Sequence, residues 1–435
     1  MRRLLPAAFV VVFASVALRA DDWPQWMGPN RDGVWRETGI IEKFPESGPK
    51  VKWRAPIAAG YSGPAVAGGK VYVMDYVRET GKVTNNPGGR DKLTGKERVL
   101  CINADTGKEI WKQEFDTAYS LSFPAGPRCT PTVQDGKVYA LGAEGHFYCL
   151  DAAKGDVIWK KDFKAEYKAK TPIWGFTAHP LVVGDKVFCV VGGEGSVAVA
   201  FDKDNGKELW KALSASEQGY CPPTLIDAGG KKQVLIFHAE GVTSVDPESG
   251  KDYWSVPLKT DYAMSIAQPM RSGDYLFVSG FAAKSVVLKL SGDKPEEVWR
   301  GGSGKAVACD NSTPIIVDDV IYGNDGSSGG IIAVELKTGK RLWESQKHID
   351  GKRKAHGTSF LVRHDDRFFL FNELGELIIA KMTPTGYDEI SRAKILEPTN
   401  TCFGRKVVWS APAFAQKCAF VRNDKELVCV ALGKE

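Results

Sequence analysis

The sequence has no strong excess of charge of one sign. Its 435 residues contain 58 Lys and Arg against 53 Asp and Glu, a formal net charge of +5. Arg2, Arg3 and Arg19 lie in a predicted targeting segment, which leaves only about +2 on the remaining chain, with both signs interspersed along it. Nucleic-acid-binding proteins normally carry a basic patch or stripe. The charge pattern therefore excludes this class, and we predict no nucleic-acid partner.

Beyond its first 20 residues the sequence also lacks a hydrophobic run of the roughly 20 residues that a bilayer-spanning helix needs. The N-terminus itself has two arginines, an apolar run over residues 4–18 and Ala20 before an acidic pair, which is typical of a secretory signal. We predict that residues 1–20 are a signal peptide cleaved after Ala20, with an uncleaved anchor as the alternative. The protein is then exported to the periplasm or cell envelope and has no transmembrane span after signal removal.

There is no Cys-x-x-Cys pair among the nine cysteines, which argues against a zinc or thiol-redox motif. The earliest is Cys101, so no lipid-acceptor cysteine follows the apolar run and the protein is predicted not to be lipidated. Cys101, Cys149 and Cys429 recur at one position of a repeat, within predicted strands. Buried cysteine used as a small hydrophobic residue is the favoured interpretation, and disulfides in an oxidising compartment remain the alternative.

A repeated phrase is the strongest signal in the chain. An acid or amide, three variable residues, a glycine and, four residues later, a tryptophan recur at a nearly constant period, which is the signature of a repeat protein. Each tryptophan follows a Pro-initiated segment with room for four short strands. The five copies begin at Asn103, Asp151, Asp202, Asp246 and Glu335 and end at Trp111, Trp159, Trp210, Trp254 and Trp343.

Such a four-stranded unit cannot bury both faces of its sheet alone, but radial stacking covers each sheet with its neighbour. Eight opening strands predict an all-β protein, an eight-bladed β-propeller of four-stranded antiparallel blades. The last unit lacks a fourth strand, so we expect the strand around Trp53 to pair with it and close the ring. The predicted divisions are a signal peptide at 1–20, a lead segment at 21–49 and the propeller at 50–435.

The Asp/Asn-x-x-x-Gly-Lys-x-x-Trp phrase after a Ser/Thr-Pro strand resembles the PQQ-like (quinoprotein alcohol dehydrogenase-like) repeat over essentially the whole predicted mature chain. The lead from Asp22 to Gly33, with its Trp-Pro-Gln-Trp-Met-Gly-Pro-Asn core, looks like that of exported bacterial PQQ-binding-like propellers. The wider family includes quinoprotein dehydrogenases and the propeller lipoprotein of the outer-membrane β-barrel assembly machine. The resemblance implies the fold, whereas function depends on sites added to it.

Residues just before each opening strand are expected to form a ring on one face of the propeller, called the top face here. The insertion from Arg78 to Arg98 should lie on this face as well. A planar anionic ligand such as PQQ would use an arginine, an aromatic plate and amides at a channel mouth. An ordinary polar channel lining is the alternative. The candidate cofactor-binding residues are Arg128, Trp174, His179, Tyr220, Gln268, Asn311, His356 and Arg405.

Two of these positions carry more specific expectations. Asp310 and Asn311 could offer a carboxylate and an amide to Ca²⁺, and Asp310 would be the base if the protein is an oxidoreductase. His179 and His356 lie four blades apart and should face each other across the channel. The acids of the Glu-Gly turns at Glu144, Glu194 and Glu240 are interpreted as turn residues rather than metal ligands.

The favoured function is a non-catalytic binding or assembly scaffold, in which the top face holds a protein partner or a small ligand and no cofactor is needed. The sequence has no adjacent Cys-Cys pair and only short loops between most blades, unlike the quinoprotein dehydrogenases. A PQQ-dependent dehydrogenase that oxidises an alcohol or sugar is the alternative, with PQQ and Ca²⁺ as its cofactors. We expect a monomer.

Overall fold

The computed structural model describes residues 22–282, 284–302 and 305–434, and these residues are nearly all β-structure. Thirty-two of the strands form eight four-stranded antiparallel sheets, and two more form a separate hairpin. The all-β, eight-bladed prediction is confirmed. Within the described ranges the helices are a five-residue α-helix, Phe163–Tyr167, and a short 3-10 turn, Asp261–Ala263. No helix of the described residues is long and apolar enough to cross a membrane. The predicted signal peptide lies outside the described residues.

The blades are numbered from the N-terminus by their first strands. Blades 1 to 4 consist of Ala65–Ala67, Lys70–Thr80, Asp91–Asn103 and Glu109–Leu121; Thr132–Gln134, Lys137–Leu141, His146–Asp151 and Val157–Asp162; Leu181–Val183, Lys186–Val190, Ala198–Asp202 and Glu208–Ala212; and Thr224–Ala228, Lys231–His238, Gly241–Val245 and Asp252–Pro257.

Blades 5 to 7 follow the same order of strands, and blade 8 takes its fourth strand from the other end of the chain. They consist of Met270–Ser272, Tyr275–Gly280, Lys284–Lys289 and Glu296–Gly301; Ile315–Val317, Val320–Asn324, Ile331–Glu335 and Arg341–Ser345; Ser359–His364, Arg367–Asn372, Glu376–Thr383 and Gly386–Lys394; and Ala413–Ala415, Cys418–Arg422, Glu426–Ala431 and Val51–Pro56.

The ring closes where the N-terminal strand Val51–Pro56 pairs antiparallel with Glu426–Ala431 of blade 8. Trp53 lies opposite Cys429 in this pairing. The same cross-strand pair joins Trp111 to Cys101 in blade 1 and Trp159 to Cys149 in blade 2. The N-terminal strand therefore takes the register of a fourth strand, as the sequence predicted. All nine cysteines are buried and free, which agrees with their interpretation as small core residues.

The repeated tryptophan and glycine meet between neighbouring blades. The Trp111 indole of blade 1 donates to the Ala152 carbonyl of blade 2 at 3.2 Å, and a Cβ on Gly155 would lie 2.6 Å from that indole. The repeat glycines that contact a tryptophan in this way, listed below, all have φ between 69° and 82°, where a side chain is strained. The turn therefore needs glycine both for its backbone and for the space that the indole occupies. The pairs are Trp53–Gly107, Trp111–Gly155, Trp159–Gly206, Trp210–Gly250 and Trp299–Gly339.

The lead segment, residues 22–49, crosses the central channel before the ring begins. Its first residues add to the inner strand of blade 1, because Trp23 and Val66 exchange backbone hydrogen bonds of 2.8 Å. Further on, the buried Arg31 guanidinium donates to the Pro180 carbonyl of blade 3 at 3.1 Å, and its own carbonyl accepts from Gln268 at the start of blade 5. The first strands of neighbouring blades contact one another around this axis. The lead segment thus closes the channel below the top face.

His348, in the connection from blade 6 to blade 7, supports a prediction about acid stability. Its side chain is fully buried, and burial lowers its pKa from 6.5 to about 3. Between these values the unfolded chain binds a proton that the native protein does not, so stability falls as the pH decreases below about 6.5. We expect protonation of His348 in the unfolded chain to lower the free energy of unfolding by about 1–2 kcal/mol between pH 7.5 and pH 5.

The His348→Asn variant should therefore lose less free energy of unfolding over this interval than the wild type does. Chemical denaturation at pH 7.5 and pH 5 measures both differences. If the variant loses as much free energy of unfolding as the wild type between these pH values, His348 is not the source of the acid sensitivity.

Candidate functional site on the top face

The top face carries a cavity of about 610 Å³ at the mouth of the closed channel. Its floor is Trp26 of the lead segment, whose indole stacks on the His179 imidazole with ring centroids 4.7 Å apart and planes at 14°. The walls are mainly aromatic, and their side chains come from loops of several blades. They include Tyr61, Phe123, Trp174, Tyr220, Tyr262, Phe281, Phe360, Phe403 and Trp409.

Most of the residues predicted for the top face line this one cavity, whereas two do not. Gln268 is buried beneath it and donates to the Arg31 carbonyl at 2.8 Å. The Arg405 guanidinium is held by the buried Glu373 carboxylate through contacts of 2.8 and 3.1 Å. The cavity contains Arg128, Trp174, His179, Tyr220, Asp310, Asn311 and His356.

The hydrogen bonds of Arg128 go to backbone carbonyls of the loop that precedes it. One terminal nitrogen donates to the Gly126 carbonyl, and the other donates to the carbonyls of Ser122 and Phe123 at 3.1 and 2.7 Å. The guanidinium also lies 5.1 Å from the centre of the Tyr61 ring. Its terminal donors therefore hold the 122–126 loop, and the charge faces an aromatic ring.

His179 is fixed at the floor of the cavity. Its Nδ1 accepts a hydrogen bond of 2.9 Å from the Thr130 amide. Burial, with the nearby Arg31 charge, lowers the pKa of His179 to about 3, so the imidazole is neutral near pH 7. His179 precedes blade 3 and His356 precedes blade 7, and both line the cavity from blades four apart. The Thr130 amide and the Trp26 indole therefore hold the His179 imidazole in place.

His356 forms a three-ring stack with Phe281 and Phe403. The Phe281 ring centre is 5.8 Å away at an interplanar angle of 8°, and the Phe403 ring centre is 4.8 Å away at 13°. The backbone of His356 is left-handed, with φ of 55°. Both faces of the imidazole are therefore covered, and only its edges can meet a polar group.

One of those edges meets Asp310. His356 Nδ1 lies 3.0 Å from Asp310 Oδ2, and the carboxylate is almost fully buried behind the imidazole. Burial raises the pKa of the Asp310 carboxyl, and the hydrogen bond with His356 partly opposes that shift. The second carboxylate oxygen, Oδ1, is buried and has no hydrogen-bond partner among the described residues. Asp310 is thus a buried acid that fixes the orientation of the His356 ring.

Two further predicted residues complete this side of the cavity. The Asn311 amide nitrogen donates to Thr358 Oγ1 at 2.9 Å, which orients its oxygen away from that contact. Tyr220 lies against Trp174 with ring centres 5.7 Å apart, and its buried hydroxyl has no hydrogen-bond partner in the part of the chain that the structure describes. Unpaired buried polar atoms at a cavity wall are costly unless a water or ligand satisfies them.

The rim hairpin was not predicted from the sequence. It pairs Asn400–Cys402 with Arg405–Val407 and places Phe403 at its tip. The signal was present in the spacing, because Thr358 and Pro412 are farther apart than the openings of most neighbouring repeats. The predicted insertion lies on the same face and ends in a loop that contains Pro87 and Gly88 of the cavity wall. Asn85 of this loop donates to the Thr401 carbonyl at 2.7 Å, so the two insertions are joined.

The acids of two Glu-Gly turns have structural partners. Glu144 accepts from the Ser120 amide and pairs with Lys164 at 2.8 Å. Glu240 accepts from the Ser216 amide at 2.9 Å. Within residues 22–282, 284–302 and 305–434, no group of three or more His, Cys, Asp or Glu side chains has the arrangement of a metal site.

Comparison with known families agrees with this architecture. A family model described as outer membrane protein assembly factor BamB matches residues 95–345 and 267–377, which together cover more than half of the sequence. The chain belongs to this family of PQQ-like propellers. No curated protein matches it significantly.

Solved structures of quinoprotein dehydrogenases have the same fold. The quinohemoprotein alcohol dehydrogenase from Comamonas testosteroni is 13% identical, with 97% of this chain and 82% of that chain covered and a TM-score of 0.63. The quinohemoprotein alcohol dehydrogenase ADHIIG from Pseudomonas putida HK5 is 12% identical over 96% and 81% of the two chains, with a TM-score of 0.62. A europium-containing methanol dehydrogenase is 13% identical over 95% and 90%, with a TM-score of 0.60. At this identity the likeness shows the fold alone.

Proposed function

We propose that this protein is an exported binding protein of the cell envelope whose top-face cavity takes up a small, mainly apolar ligand. The observation that carries the proposal is the cavity of about 610 Å³, closed below by Trp26 and His179 and walled by aromatic side chains from several blades. Concave, mostly apolar sites with a few convergent polar groups are typical of small-molecule binding. The predicted signal at residues 1–20 supports export.

A protein partner is the second candidate. The family model that the chain matches is described as that of an assembly factor, and two aromatic side chains of the cavity rim are unusually exposed, Tyr262 by 74% and Phe403 by 46%. Exposed aromatic residues are enriched at protein interfaces. In this alternative an apolar side chain of the partner would enter the cavity.

The residues fit a quinoprotein dehydrogenase poorly. An anionic quinone needs free cationic or amide donors. Three of the five N–H donors of Arg128 are held by backbone carbonyls, and the Asn311 amide nitrogen donates to Thr358 and to the His356 carbonyl. A Ca²⁺ ion needs six to eight oxygen ligands, whereas one Asp310 oxygen is taken by His356 and no group of three or more His, Cys, Asp or Glu side chains among the described residues could hold a metal ion. We therefore infer that neither PQQ nor Ca²⁺ is the natural occupant.

A neutral fluorescent probe tests the proposal. We expect the wild-type protein to bind Nile red saturably at one site, since an apolar cavity of this size can enclose much of the probe. Ile266 lines the cavity, and the Ile266→Trp variant should fill it and weaken binding at least about tenfold, or about 1.4 kcal/mol. Fluorescence titration measures both affinities.

The matched control is Leu209→Ala, because Leu209 is exposed on the outer strand of blade 3, away from the cavity. This variant should bind the probe like the wild type. Absence of saturable binding in the wild type would contradict the proposal. Titration with PQQ and Ca²⁺ separates the alternative, since one-to-one quinone binding at micromolar concentration would favour the dehydrogenase.

A further inference from the structure

The edge of His356 that faces the cavity identifies the kind of polar group that a ligand must bring. Nδ1 is occupied by Asp310 at 3.0 Å, and both ring faces are covered by Phe281 and Phe403. The side chain nevertheless keeps 21% of its surface exposed in the cavity. Nε2, on the opposite edge, makes no hydrogen bond to any described residue and is not among the buried unpaired atoms, so part of this exposure lies at Nε2. A ligand can therefore reach His356 only edge-on, through Nε2.

The protonation of that edge follows from Asp310. When a carboxylate accepts the Nδ1 proton of a neutral imidazole, Nε2 is the unprotonated nitrogen and accepts hydrogen bonds. The carboxylate is buried, and its other oxygen, Oδ1, has no hydrogen-bond partner among the described residues. Asp310 is thus a positioning residue, which fixes the ring orientation and the tautomer of His356.

Asn311, the residue after Asp310, also offers an acceptor rather than a donor. The Asn311 amide nitrogen donates to Thr358 Oγ1 at 2.9 Å and to the His356 carbonyl at 3.5 Å, which leaves the amide oxygen. Arg128, the arginine of the cavity wall, uses three of its five N–H donors on backbone carbonyls. A carboxylate or phosphate bound at His356 Nε2 would lie near the buried Asp310 carboxylate, and this is unfavourable in an apolar site.

We infer that the cavity is specific for a ring-shaped ligand that carries a hydroxyl donor and no anionic group, and that His356 Nε2 accepts the hydrogen bond of that hydroxyl. The aromatic walls pack against the ring, and the His356–Asp310 pair selects the hydroxyl. The inference rests on the proposed ligand-binding function and names the ligand class.

Three naphthalene derivatives that differ only in their substituent at position 2 test the inference by isothermal titration calorimetry. They are 2-naphthol, which has a hydroxyl donor, 2-methoxynaphthalene, which has none, and 2-naphthoate, which is anionic. We expect 2-naphthol to bind the wild-type protein at least about tenfold more tightly than either of the others. A hydrogen bond in a buried site accounts for a preference of this size.

The His356→Phe variant continues the ring stack but removes Nε2, so it should bind 2-naphthol and 2-methoxynaphthalene with equal affinity. Asp310→Asn should reduce the preference as well, because it removes the charge that orients His356 while keeping the side-chain volume. The matched control is His146→Phe. His146 is also a partly exposed histidine, at 27%, near an aspartate, with Nε2 3.9 Å from Asp162 Oδ2, but it lies outside the cavity. This control should keep the wild-type preference.

The outcomes separate the two proposals. Equal binding of the three probes by the wild type, or tighter binding of 2-naphthoate, overturns the hydroxyl inference and leaves the apolar cavity function standing. A preference for 2-naphthol that survives in His356→Phe also overturns it. Failure of all three probes and of Nile red to bind overturns both proposals. The wild-type series decides the selectivity even where a variant fails to fold, which circular dichroism would reveal.

Discussion

Replacing Gly155 by alanine is expected to destabilise the propeller by about 2–5 kcal/mol. Gly155 has φ of 82°, where an L side chain costs about 1–2 kcal/mol. The new Cβ would also lie 2.6 Å from the Trp111 indole, closer than atoms can approach, so the indole must shift. Overpacking of this kind typically costs a further 1–3 kcal/mol. Because Trp111 joins blade 1 to blade 2, the strain falls on the contact between blades.

Gly136 of the same blade provides the control for this substitution. Its φ is 73°, but a Cβ there would meet nothing within 4 Å. Gly136→Ala should therefore cost only the backbone strain, about 1–2 kcal/mol. Chemical denaturation of both variants isolates the steric part as the difference between them. Equal destabilisation by the two substitutions would show that the indole does not need the space.

The propeller could be predicted from the sequence because its determinants are local and repeated. Each Asp-x-x-x-Gly turn, each strand and each tryptophan lies within one unit of about 45 residues, and one copy confirms another. Even the closing strand followed from this logic, since Trp53 had the context of a fourth strand without a repeat before it. Its register opposite Cys429 matches that of Trp111 opposite Cys101.

The cavity was only partly predictable, because its walls depend on contacts between distant loops. Position before an opening strand was enough to bring Asp310 and His356 to one face. It could not show that Arg405 would be held by Glu373, 32 residues away, or that Arg128 would bind its own loop. Phe403 belongs to a hairpin that interrupts the repeat, where periodicity carries no information.

The substitution Arg422→Met is expected to destabilise the propeller as much as Gly155→Ala does. Arg422 lies at the junction of blade 8 with blade 1, where the ring closes. Arg422 is fully buried in blade 8. Its guanidinium donates to the Met74 carbonyl of blade 1 at 2.7 Å, to the Ala58 carbonyl after the closing strand at 2.6 Å, and to the Asn423 carbonyl at 3.1 Å. Burial lowers the pKa of Arg422, but arginine keeps its proton near neutral pH.

Methionine is also unbranched along its stem but has no donor, so the variant leaves these three carbonyls without the guanidinium. Each buried acceptor that loses its partner costs about 1–3 kcal/mol, and we expect a net loss of about 3–5 kcal/mol after the apolar gain of methionine. The control is Arg300→Met, since Arg300 is 39% exposed and pairs with Glu297 on the surface. This exposed pair should contribute less than about 1 kcal/mol.

Hydrogen exchange distinguishes a weakened ring closure from general destabilisation. If Arg422 holds blade 8 to blade 1, the amides of Val51–Pro56 and Glu426–Ala431 should lose protection in Arg422→Met before those of blades 3 and 4 do. A uniform loss of protection would mean that Arg422 stabilises the whole propeller rather than the ring closure in particular. A propeller leaves only short, protected strand edges. Opening at this junction would expose the edge of Glu426–Ala431 that the N-terminal strand covers, so aggregation should follow unfolding more readily than in Arg300→Met.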